Sequence, residues 1–89
     1  MISDADRLVI VQLGHQFGVT RILLFGSSLR DDREARDIDL AVEGVPDAVF
    51  FKFYGELLLR LSKPVDLVDL TKPSRFNAMV RKEGVPLYG

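Results

Sequence analysis

Apolar residues recur along this chain with two different periods, and each period predicts a kind of element. Val9, Leu13 and Phe17 lie four apart until Gly18 stops the run, which predicts a helix over about residues 4–17. Ser3 and Asp6 are placed as a capping box in which Asp replaces the usual Glu, and Gly14 is a mild weakness inside the helix. Residues 20–25 (TRILLF) form a dense apolar run ending at Gly26, the pattern of a largely buried strand, and residues 27–33 read as a short helical turn or loop. Residues 37–42 (DIDLAV) alternate strictly. Ile38, Leu40 and Val42 fall on one strand face and Asp37, Asp39 and Ala41 on the other. Pro46 suits the first turn of a helix running to about Leu61, whose stripes are Val49, Phe53, Leu57 and Phe50, Tyr54, Leu58, Leu61. Residues 64–70 (PVDLVDL) predict a third strand, residues 73–83 a last helix closed by Gly84, and residues 85–88 an extended tail.

The resulting order, α, β, short α, β, α, β, α, predicts one α/β (α+β) domain over residues 1–89, with helices mainly on one face of a small sheet. The other face is then free to present Asp37 and Asp39. A solvated loop explains charges between strands, but it does not explain carboxylates at alternate positions within one.

Paired carboxylates on one strand face suit a particular chemistry. Two hard cations about 3.5–4 Å apart can stabilise both the attacking and the leaving oxygen of an in-line displacement at phosphorus. Asp37 and Asp39, two residues apart, project together and can share such ions. A third carboxylate from the neighbouring strand would complete the set; Asp66 and Asp69 are the candidates, and strand parity puts them on opposite faces. Gly26-Ser27 supplies a complementary feature. The glycine lets backbone approach a phosphate closely, and the serine offers a hydroxyl at the start of a helical turn whose free N–H groups favour an anion. Arg30, one turn on, is placed to add a charge-assisted bond.

Composition narrows the partners. A net charge of −1 gives no broad basic field, which disfavours nucleic acid but leaves a nucleotide bound through metal ions. There is no cysteine, so thiolate chemistry and disulfides are excluded. The longest apolar runs are too short for a membrane span, and no signal-peptide pattern opens the chain, so a soluble cytoplasmic protein is the expectation. With 47% apolar residues in so short a chain, part of the apolar surface is expected to meet another chain, a partner or a second copy in a homodimer. His15, the single histidine, lies on the polar side of its helix, and Arg75, Arg81 and Lys82 read as a solvated face.

Phe25-Gly26-Ser27, Asp37-Ile38-Asp39-Leu40, Val65-Asp66-Leu67-Val68-Asp69-Leu70 and the closing residues 83–88 (EGVPLY) together resemble the minimal nucleotidyltransferases of the polymerase-β-like superfamily. The resemblance covers nearly the whole chain. It implies a mixed sheet of three to four strands and a two-magnesium site with ATP as nucleotide donor. By position, Asp37, Asp39 and Asp66 would bind metal, Gly26 and Ser27 would hold the triphosphate, and Asp66, preferred to Asp69 on the family pattern, would help activate the acceptor hydroxyl. Asp31 departs from that pattern, which usually has glycine there, and the connection from Ser27 to Asp37 is one residue shorter than is common.

Larger members of the superfamily carry a further domain for base and acceptor, and 89 residues leave the acceptor to come from elsewhere. Resembling small members pair with a helical HEPN toxin, act as its antitoxin and transfer AMP to one of its tyrosines. Phe50, Phe51, Phe53 and Tyr54 mark the helix surface expected to meet such a partner. Two other readings stay open: a non-catalytic module that masks its partner, and an enzyme acting on a small molecule.

Overall fold

The computed structural model describes residues 2–29 and 36–89. Helix α1 spans Asp4–Gln16, strand β1 Arg21–Leu24 and strand β2 Ile38–Glu43, with a single 3-10 turn, Gly26–Leu29, directly after β1. Helix α2 (Asp47–Arg60), strand β3 (Val65–Asp69), helix α3 (Arg75–Glu83) and strand β4 (Val85–Tyr88) follow. Each predicted helix and strand is present, with ends shifted by a residue or two, as fraying termini allow.

The sheet is mixed, in the order β3-β2-β1-β4. β1 pairs antiparallel with both β2 and β4, whereas β2 and β3 are parallel. The last pairing follows from connectivity: parallel strands need a crossover, and α2 is the crossover. The closing tail is the fourth strand. It adds to the outer edge of β1, and Pro86 is tolerated there because an edge strand need not donate on both sides.

One face of the sheet carries Ile22, Leu24, Ile38, Leu40 and Val42 beneath α1 and α2, packed with Ile10, Leu13, Phe53 and Leu57. Alternation puts Leu23 and Ala41 on the other face, where Leu70 of the loop after β3 and Val80 of α3 cover them. Two helices thus back the sheet, and α3 covers part of the face that bears Asp39. Arg81 is exposed, as expected of a solvated surface, and also anchors α3 there. Its guanidinium donates to the Leu70 carbonyl at 2.8 Å and to Glu43 at 2.9 Å.

Two details of α1 differ from the sequence pattern. Ser3 caps the helix, accepting from the Asp6 N–H at 3.1 Å, but the buried Asp6 carboxylate does not return to Ser3. It accepts instead from the Ser62 N–H at 3.1 Å and hydroxyl at 2.5 Å, tying α1 to the chain beyond α2. Gly14, intrinsically a weak helix residue, is also a close contact, since a Cβ there would lie 2.9 Å from Ile22 and 3.2 Å from the Tyr88 ring. Its missing side chain lets α1 seat on β1 and β4.

The aromatic residues of α2 divide by face. Phe53 is fully buried and meets Phe17 edge-on, Phe50 packs against the core, and Tyr54 donates its hydroxyl to the Val65 carbonyl at 2.8 Å. Phe51 is 80% exposed, and Leu58 and Leu59, seven and eight residues further on, are exposed with it. Among the described residues no helix is long and apolar enough to cross a membrane. The contrast between faces sets a stability test. Phe53→Ala should cost about 3–5 kcal/mol through the lost contacts and the cavity left behind, whereas Phe51→Ala should change stability by less than about 0.5 kcal/mol. Urea unfolding of the two variants checks both values.

Candidate active site

The parallel register of β2 and β3 pairs Asp39 with Asp66 and Ala41 with Val68, so both acidic residues lie on the sheet face that α3 covers only in part. Asp37, two residues before Asp39, continues that face from the position just before β2. Asp69 pairs with Val42 and therefore belongs to the opposite face. Its carboxylate closes a local turn, accepting from the Thr71 N–H at 2.9 Å and hydroxyl at 2.6 Å. Of the two candidates for a third carboxylate, Asp66 is the one beside Asp39.

The Gly-Ser turn meets this face from β1. Asp39 Oδ2 accepts two hydrogen bonds from Ser27, one from its N–H at 3.2 Å and one from its hydroxyl at 3.0 Å. Gly26 has φ +62°, and a Cβ on it would lie 2.6 Å from the same Oδ2. The left-handed backbone favours glycine here, and a Cβ would in addition push the carboxylate away from Ser27. The turn therefore already cradles an anionic oxygen with one backbone and one hydroxyl donor.

Ser28, which sequence reasoning passed over, fixes the geometry from below. It is 3% exposed. Its Oγ accepts from the Asp39 N–H at 2.7 Å and its hydroxyl approaches the Asp37 carbonyl at 3.5 Å, so it pins the start of β2 against the turn. The signal was present in the sequence as a second serine after Gly26-Ser27. Asp37 also lines a cavity of about 120 Å³ with Ser28, Ile38, Ile2, Ser3, Asp6, Ser62 and Lys63. Arg30 lies outside the described residues.

The donor set consists of carboxylate and hydroxyl oxygens, which suit a hard divalent cation such as magnesium. Asp37 and Asp66 are exposed, and among the described residues neither side chain makes a hydrogen bond or ion pair. Among those residues, no three His, Asp or Glu side chains are gathered into a closed cation cage. The carboxylates share a face and a register while Asp39 is turned toward Ser27.

An open mixed sheet, a glycine-serine turn and aligned carboxylates at one end of it define a nucleotidyltransferase-type domain. Residues 9–89 match the polymerase beta nucleotidyltransferase family, and the chain belongs to it. Solved structures with the same fold include the toxin–antitoxin MntA-HepT, with a TM-score of 0.73 and 26% identity over 98% of this chain and 73% of the other. A tri-AMPylated HEPN toxin from Shewanella oneidensis in complex with MNT antitoxin matches with a TM-score of 0.71 and 28% identity, over 94% of this chain and 70% of the other. A toxin–antitoxin structure with AMP-PNP matches at 0.69 and 28%, over 93% and 73%. No curated protein matches the chain in sequence.

The Gly26–Asp39 contact predicts a coupled pair of substitutions. Gly26→Ala must hold a left-handed alanine, costing about 1–2 kcal/mol, and must also displace the Asp39 carboxylate from Ser27. In an Asp39→Ala background only the backbone cost remains, so the double-mutant cycle should be non-additive by about 1 kcal/mol. Chemical unfolding of the four proteins measures it; equal costs in both backgrounds would contradict the contact.

Proposed function

We propose that this chain is a magnesium-dependent nucleotidyltransferase that moves AMP from ATP to a hydroxyl of a partner protein, acting as the antitoxin of a HEPN-type toxin. A tyrosine of that toxin is the proposed acceptor, and the bacterial or archaeal cytoplasm the proposed setting. The observation that carries this reading is the alignment of Asp39 with Asp66 beside a turn that already binds an anionic oxygen. The AMPylated toxin and the AMP-PNP complex among the structural relatives support it.

Asp37, Asp39 and Asp66 would hold magnesium, which when bound supplies charge neutralisation for the triphosphate and the transition state. The remaining work falls to the chain itself. As Asp39 turns from Ser27 toward the open face, the Ser27 N–H and hydroxyl are released to donate to a phosphate oxygen. Gly26 allows that oxygen to come as close as Asp39 Oδ2 does now. Asp66, on the far side of Asp39, accepts the proton of the acceptor hydroxyl. The acceptor oxygen bonds to the α-phosphorus, the bond from that phosphorus to the bridging oxygen breaks, and pyrophosphate leaves. Phe51, Leu58 and Leu59 offer the apolar area a helical partner would cover.

Two observations favour a second reading, a module that masks its toxin without chemistry: the described carboxylates are not gathered into a cage, and Asp39 is engaged by Ser27. Intact mass of the co-expressed toxin separates the two. After incubation with this protein, ATP and magnesium, the toxin should gain mass in AMP steps. Chelation of magnesium, or an Asp37→Ala/Asp39→Ala variant, should abolish the gain. A toxin bound and inhibited yet unchanged in mass would establish masking.

A further inference from the structure

The acidic face carries an aromatic pair that the chemistry above does not use. Leu23 and Ala41 are paired on this face, and Phe25, two residues after Leu23 and just past the end of β1, packs against the same apolar cluster. The Phe25 N–H donates to the Asp39 carbonyl at 3.1 Å, so the ring stands beside Asp39 across the strands. Phe76, in the first turn of α3, packs against it with ring centroids 6.0 Å apart and planes at 81°. Perpendicular packing uses the edge of one ring and leaves that ring's faces uncovered by its neighbour. Phe76 remains 48% exposed and Met79, three residues on and so on the same side of α3, 46% exposed. A ring needed only to cover the core would be buried further, as Val80 is.

Resting on the nucleotidyltransferase reading, we propose that Phe25 and Phe76 form the stacking surface for the base of the donor nucleotide. Strand order selects the donor over the acceptor. Asp66 stands on β3, to one side of Asp39, whereas Phe25, the residue that follows β1, stands to the other side, immediately before the Gly26-Ser27 turn. A triphosphate held on that turn brings its nucleoside to the aromatic side, and an acceptor hydroxyl facing Asp66 arrives from the opposite one. Stacking accepts any base, because each has a π-face, so this surface contributes affinity with little discrimination between purines.

The test compares ligands that share phosphates and differ in the base. Calorimetric titration of wild type, Phe76→Ala and Phe76→Trp with ATP and with inorganic tripolyphosphate, each with magnesium, reads both contributions. Loss of a stacking ring should weaken ATP binding about tenfold or more in Phe76→Ala, leave tripolyphosphate within about twofold, and be reversed in Phe76→Trp. Equal weakening of both ligands, or no change in either, would overturn the stacking role while leaving the nucleotide site intact. If wild type binds neither ligand, the nucleotide reading itself fails and the base surface with it.

Discussion

The parallel pairing of β2 with β3 is the constraint on which the rest depends. The α2 crossover returns the chain to run alongside β2, and burial of Ile38, Leu40 and Val42 under the helices fixes which residues of β2 face away from them. Register then does what sequence spacing cannot. A slip of one residue along β3 would put Asp66 under α2 and bring Leu67 to the acidic face, because side chains alternate with a period of two. The hydrophobic core thus determines the position of the carboxylates, even though none of them belongs to it.

The same logic explains why the Gly-Ser turn is informative. β1 ends beside Asp39, and the left-handed Gly26 folds the chain back so that Ser27 donates into the carboxylate. Ser28 closes the arrangement from the buried side. These contacts join consecutive strands at one corner of the sheet, so the corner is shaped before any ligand arrives. In the proposed nucleotide-bound state the change required is small, a rotation of the Asp39 carboxylate away from Ser27.

Much of this was legible in the sequence, for a physical reason. The alternation of residues 37–42 and the apolar run before Gly26 encode faces and ends directly, and parity put Asp66 and Asp69 on opposite faces, although the preference for Asp66 came from the family resemblance. Pairing partners were not encoded. Nothing local says that β2 and β3 are parallel in a register matching Asp39 with Asp66, nor that residues 85–88 form an edge strand beside β1. Likewise the Asp6 carboxylate resembled a capping residue because its true partner, Ser62, is distant in sequence. Arg81 is exposed as expected, but its bond to the carbonyl of Leu70 had no local signal. Phe50, Phe53 and Tyr54 proved largely structural, leaving Phe51 as the aromatic that α2 turns outward.

The most direct test of the account is where a divalent cation sits. Titrating manganese into isotopically labelled protein in the presence of a non-hydrolysable ATP analogue, and following paramagnetic loss of backbone amide signals, maps that position residue by residue. The account predicts early loss at Ser27, Asp39 and Asp66, with the amides of Asp47 and Thr71 retained. Loss centred on Asp47, Asp69 and Thr71 would contradict it, placing the cation at the other end of the sheet and leaving the aligned carboxylates without that role.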